Sequence, residues 1–104
     1  MIRQFDVFRN PSRRGLEERP YVVAVQSPLW DDMASRICVP LIDPRFIRPQ
    51  GRVNPKVNVE GRNVYLHPLE MLNVPTRLLR TSVANLESYR FQIVGALDLV
   101  FLGI

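Results

Sequence analysis

His67 and Cys38 are the only histidine and the only cysteine in the chain, so the side chains that most often move protons or attack carbonyls occur once each. An imidazole titrates near neutral pH and serves as general acid or base when an arginine and a carboxylate converge on it, as in ribonuclease chemistry. Sequence spacing does not show such a convergence. His67 stands before Pro68 at the end of a predicted strand and reads more simply as a surface or hydrogen-bonded structural residue. Cys38, between Ile37 and Val39, reads as a small buried hydrophobe, because a reactive thiolate needs a cation or histidine beside it. A single cysteine forms no intrachain disulfide. Asp31 and Asp32 are neighbours, so their side chains diverge and make no acid–base pair. They suit a loop or short helical turn, with Trp30 either in the core or an exposed interface anchor. There is no glycine-rich phosphate loop, no cysteine pair and no histidine cluster. The expectation is a protein without catalytic residues, metal or cofactor.

Charge is the other chemical resource. Lys and Arg number 14 against 10 acidic residues, giving +4, and every basic residue except Lys56 is arginine. Arginine suits planar, bidentate contact with carboxylates and phosphates. A nucleic acid, an acidic protein tail and a plainly solvated surface all fit this balance. No basic block is interleaved with aromatics, so nothing points to base stacking. Arg45, Arg48 and Arg52, followed by Lys56, make the stretch Asp43–Pro55 cationic, and an acidic partner that orders this loop on binding is the functional reading.

The elements that must hold these groups come from a chain of 104 residues, enough for one domain spanning 1–104 with a modest core that a second subunit would help. The apolar fraction of 46% is ordinary. No apolar run approaches the roughly 20 residues of a membrane span, and the N-terminus lacks a signal-peptide pattern, so a soluble, cytoplasmic protein is expected. Gln4–Phe8 alternates like a half-buried strand. Asn10–Gly15 reads as a loop, and Tyr21–Gln26 as an interior strand. Ser35–Ile42 is a further strand in which Pro40 calls for an edge, a bulge or a break. Asp43–Pro55 reads as an irregular or mobile loop. Lys56–Val59 and Asn63–Leu66 flank Glu60-Gly61-Arg62 and predict a short hairpin. Leu69–Leu72 is a short strand ending at Val74-Pro75, and Thr76–Arg80 is ambiguous. The fold class is α+β, mostly β: a bent antiparallel sheet or partial barrel with one C-terminal helix.

That helix, Leu86–Ile104, carries apolar residues up to its end, with Asn85 or Ser88 as candidate caps. On a helical wheel Leu86, Ile93, Val94, Leu97, Val100, Phe101 and Ile104 share one face, the expected core stripe. Phe91, Leu99 and Leu102 fall on or near the other side with Gly95 and Asp98. A cluster of apolar residues there suggests an interface.

Several of these pieces, in order and at nearly constant spacing, resemble the CcdB family of toxins. Gln4-Phe5 with Val7 is similar to the family's opening strand, and Val25-Gln26-Ser27 to the end of its second long strand. Arg36 with Val39-Pro40-Leu41, then Val74-Pro75, then Phe101 and Gly103-Ile104 match later segments. The resemblance implies a small SH3-like partial barrel with a long C-terminal helix, forming a homodimer in the cytoplasm. It also implies binding to the A subunit of DNA gyrase through the helix end, here Asp98, Phe101, Leu102, Gly103 and Ile104. The toxin would trap the cleaved DNA complex without bond chemistry of its own. A cognate antitoxin with an acidic, disordered C-terminal segment would neutralise it and share in transcription autoregulation. Arg13, Arg14, Arg45 and Arg48 are the expected antitoxin contacts. Nucleic acid would be met only through gyrase or the antitoxin complex, and no membrane would be involved. The family's tryptophan before the final Gly-Ile is Leu102 here. Leucine packs but offers no π face to a cation, a contact worth about 0.5–2 kcal/mol. Two alternatives accompany this reading: a homologue that no longer poisons gyrase, and a MazF-like ribonuclease toxin using His67 and the arginine-rich loop.

Overall fold

The β-branched run around Val22 forms the middle of the sheet. In the computed structural model, which describes residues 1–104, β2 (Tyr21–Ala24) lies between β1 (Asp6–Arg9) and β3 (Ser35–Ile42), both antiparallel to it. Val23 faces Val7 on one side and Val39 on the other. β4 (Lys56–Val59) and β5 (Arg62–Leu66) make a hairpin that joins the end of β3, with Leu66 opposite Leu41. β6 (Leu72–Pro75) pairs with the first half of β3, and β7 (Ala84–Asn85) with β1. The seven strands run in the order β4-β5-β3-β2-β1-β7, with β6 beside β3, and curl into a nearly closed barrel. One helix, α1 (Arg90–Leu102), follows. No helix is long and apolar enough to cross a membrane.

Every residue of β2 is buried because both faces of the sheet are covered there. Tyr21 and Val23 point into the main core with Val7, Val39, Leu41, Leu66, Leu86 and Ile93. Val22 and Ala24 point the other way, into a smaller cluster with Phe8, Cys38, Val74 and Leu79. In β4 the alternation is clean: Val57 and Val59 are buried, Lys56 and Asn58 exposed.

Several expected boundaries move. β1 begins at Asp6 rather than Gln4, because Phe5 takes φ +69° at the third position of a turn closed by the Asp6 N–H on the Arg3 carbonyl at 3.0 Å. β2 stops at Ala24, although the Val25 N–H still donates to the Ile37 carbonyl at 3.0 Å. The strand expected over Leu69–Leu72 is instead a 3₁₀ turn, Pro68–Glu70, since proline suits the first position of a helical turn. The strand starts at Leu72 and includes Val74 and Pro75, the expected stop. Thr76–Leu78 is a further 3₁₀ turn.

Pro40 neither breaks nor bulges β3. Its carbonyl accepts from the His67 N–H at 3.1 Å. A strand residue turns its N–H and C=O to the same edge, so the missing donor falls in the gap between the stretches of β3 paired to β6 and to β5. The hairpin forms as expected but with a tighter turn: Glu60 (φ +55°) and Gly61 (φ +82°) make the loop, and Arg62 belongs to the strand. Asp43–Pro55 is folded into two 3₁₀ turns, Pro44–Phe46 and Gly51–Val53, rather than irregular. The buried Asn54 amide ties it down by donating to the Leu66 carbonyl at 3.0 Å and accepting from the Gln50 N–H at 2.9 Å.

Candidate functional site: the free end of the terminal helix

α1 starts later than expected, at Arg90, after a 3₁₀ turn over Glu87–Tyr89. Asn85, one residue ahead of the N-cap of this lead-in turn, accepts from the Glu87 N–H through its Oδ1 at 2.8 Å, whereas the helix itself begins without a side-chain cap and Ser88 supplies none. The lead-in is held firmly. The Leu86 N–H donates to the Phe5 carbonyl at 2.9 Å, and the Arg90 guanidinium lies 4.8 Å from the centre of the Phe5 ring while donating to Glu87 at 2.7 Å.

Only part of the expected core stripe reaches the core. Leu86 and Ile93 are buried, joined by Ala96, and Leu97 packs against them. Val94 is exposed, Phe101 keeps 67% of its surface in water and Ile104 76%. Beyond Ala96 no residue of the helix is fully buried: Val100 is half-buried, and the Phe101 and Leu102 side chains stand in water. Phe91 and Leu102 are exposed, as the wheel implies, while Leu99 is half-buried. Gly103 closes the helix in the left-handed region at φ +72°, its N–H shared by the Asp98 and Leu99 carbonyls at 3.2 Å each. Asp98, Phe101, Leu102, Gly103 and Ile104 therefore share one capped tip: three apolar side chains beside a carboxylate and the negative end of the helix dipole. Such a surface can bury apolar area on a partner and pair with a cation at its rim.

The expected antitoxin contacts are divided. Arg13 and Arg14, between β1 and β2, and Arg48 are exposed and outside every ion pair. Arg45 has internal partners: its Nε donates to Asp43 at 2.9 Å, a terminal nitrogen lies 3.3 Å from Glu17, and the guanidinium sits 5.3 Å from the Phe46 ring centre. Arg62 reaches the same Asp43 carboxylate at 2.7 Å. The hydrogen bonds from Arg45 and Arg62 hold the Asp43 carboxyl well below the usual carboxylate range.

The groups that could do chemistry are structurally occupied. His67 Nε2 lies 3.8 Å from Glu70, whose carboxylate is gripped by Arg19 through contacts of 2.8 and 2.9 Å. An arginine and a carboxylate do meet near His67, but they are paired to each other, and His67 Nδ1 is 3.4 Å from the Asn54 amide. Cys38 is fully buried, and burial pushes its thiol up to about 12. No group of three or more His, Cys, Asp or Glu side chains is gathered as a metal-ligand set.

Of the two places open to Trp30, core or exposed anchor, the structure takes the exposed one, and sequence reasoning missed that Leu29 and Met33 join it in a second apolar patch. Trp30 is 60% exposed, beside Leu29 and Met33 in the β2–β3 connection. The buried Arg36 guanidinium shapes this connection by donating to the carbonyls of Asp31, Met33 and Ser35. An arginine followed by alternating apolar residues carries no signal that its partners will be carbonyls upstream.

A family model described as CcdB protein matches residues 4–103. No curated protein matches the chain.

Proposed function

The chain belongs to the CcdB family, and from that premise we propose that it is a homodimeric, cytoplasmic toxin that binds the A subunit of DNA gyrase through the tip of α1 and holds the cleaved DNA complex. The family is one of toxins from toxin–antitoxin systems, poisons of gyrase rather than catalysts. The observation that carries the finer reading is the capped, uncovered helix end, with Phe101, Leu102 and Ile104 all more than half exposed. In this mechanism Phe101, Leu102 and Ile104 bury against the target, Asp98 pairs with a cation at the rim, and Gly103 keeps the tip compact by taking a φ that other residues resist. A second copy covers part of the exposed α1 surface. An antitoxin's acidic segment is drawn to Arg13, Arg14 and Arg48, and reaches Arg45 only by competing with Asp43 and Glu17.

The test is a cleavage assay with purified protein, gyrase and closed circular plasmid. Linear DNA released by denaturation should accumulate with toxin dose. Binding to gyrase without accumulation favours a second reading, a homologue that has lost poisoning, for which Leu102 in place of an aromatic residue is the specific observation. No binding to the gyrase A subunit overturns the target assignment.

A further inference from the structure

Between the outer edge of β4 and the first half of α1 lies a cavity of about 520 Å³. Arg52 and Lys56 stand on one wall, Phe91 and Gln92 on the other. No carboxylate lines it, and neither cation joins an ion pair, whereas Arg9, Arg19, Arg45, Arg62 and Arg90 all do. Phe91 is 89% exposed, and a Cβ added at Gly95 would meet nothing within 4 Å, so the surface beside Phe91 is open to an apolar group.

The wall also offers backbone. β4 ends the strand path, so no strand pairs with its outer edge. In the β4–β5 hairpin Leu66 donates to Pro55, and Val57 faces Val64 two residues along. That register turns the backbone groups of Lys56 and Asn58 outward. The Asn58 N–H accordingly donates to the Tyr89 hydroxyl at 3.2 Å rather than to a strand. The Lys56 N–H and C=O face the groove side without a strand partner.

We propose that this groove docks an extended acidic peptide by strand addition to β4. The peptide sets carboxylates against Arg52 and Lys56 and lays an apolar or aromatic side chain on Phe91 over Gly95. With the Asn58 N–H taken by Tyr89, the Lys56 N–H and C=O are the backbone pair left open beside the cations, and a peptide uses both where a nucleotide does not. The proposal deepens the reading that an acidic segment is this chain's partner, and rests on it for the identity of the natural peptide.

The probe is a short blocked synthetic peptide that alternates glutamate with leucine around a central tryptophan, titrated into ¹⁵N-labelled full-length protein. Amide shifts should cluster over Arg52–Asn58 and Tyr89–Gly95. Arg52→Glu with Lys56→Glu should weaken binding by about tenfold or more, the scale of two lost and inverted surface pairs. Phe91→Ser should weaken it while leaving the spectrum folded. Shifts at Arg13, Arg14 and Arg48 with none over Arg52–Asn58 or Tyr89–Gly95 would keep the acidic partner and overturn the groove. No saturable shift anywhere overturns both. Shifts of Phe91–Gly95 that follow protein concentration without peptide would make the groove a contact between two copies and also overturn the proposal.

Discussion

Replacing Leu102 isolates the helix tip from the fold. Leu102 keeps 65% of its surface in water and belongs to neither apolar cluster. Fully burying a leucine side chain is worth about 1.5–3 kcal/mol. A target that covers the exposed two thirds therefore gains ~1–2 kcal/mol at each tip. Leu102→Ala gives up most of this, a weakening of roughly 5- to 30-fold per site, compounded when both tips of a dimer engage. Leu102→Trp acts in the other direction. It keeps apolar area and adds a π face worth about 0.5–2 kcal/mol against an arginine, roughly 2- to 30-fold tighter. Neither change should disturb folding, since alanine and leucine are both good helix formers and surface substitutions stay within about 0.5 kcal/mol. Calorimetric titration against the gyrase A subunit gives the affinities, and circular dichroism melts give the stability control. Unchanged affinity in both variants, with unchanged melts, would show that the target does not touch this tip. Weaker binding accompanied by a lowered Tm in Leu102→Ala would assign the loss to folding instead.

Gly103→Ala places a Cβ in open space but at φ +72°, so the cost is strain alone, about 1 kcal/mol. The last turn should fray, seen as faster amide exchange confined to Leu99–Ile104, with the global melt nearly unchanged. Asp43→Asn should cost about 1–3 kcal/mol at pH 7 by weakening the grip on Arg45 and Arg62. Because the folded carboxyl titrates below its unfolded value of roughly 4, the wild-type advantage is full above that pH and is lost as pH falls through the folded value. Urea melts at pH 7 and pH 2.5 should show the gap narrowing, and an equal gap at both would exclude the charge as its origin. Cys38, with its thiol pushed up to about 12, should react with iodoacetamide at pH 8 only as fast as the chain opens. Rapid labelling of the native protein, read by mass spectrometry, would contradict its burial.

What could be read in the sequence was what depends on local pattern. β3 appears with the expected bounds, Ser35–Ile42, and the hairpin around Gly61 forms because positive φ at that position is written in the residue type. Phe5 shows the limit of that rule. A bulky residue takes φ +69° there because its ring is buried against the core and under Arg90, so tertiary contacts override the local preference. β7 needs only two residues and leaves no periodic trace. The helix wheel is right at Ile93 but fails at its neighbour Val94 and at Phe101 and Ile104, because a wheel assumes a partner along the whole helix and cannot say how much of each face the rest of the chain covers. The arginines look alike in sequence. Which of them are free depends on carboxylates far away in the chain, such as Glu60 for Arg9 and Glu70 for Arg19.

The support of α1 is one-sided, and that asymmetry bears on how its tip can work. Its start is clasped: Asn85 donates to the Gln4 carbonyl at 3.1 Å and to Asp6 at 2.9 Å, Leu86 donates to Phe5, and Arg90 lies on the Phe5 ring. Its buried contacts, Ile93 and Ala96, fall in the first two turns. A helix of 13 residues rises about 20 Å, so its free end lies well away from this clasped start, with Leu99 and Val100 still half-buried and Phe101 and Leu102 exposed. A helix clasped at one end and capped at the other exposes apolar side chains at little entropic cost, because the backbone under Phe101 and Leu102 is already ordered before a partner arrives. The same geometry separates the two surfaces of the helix. The groove at Phe91 lies beside the clasp and the tip lies a helix length away, so each can be occupied without the chain at the other having to move.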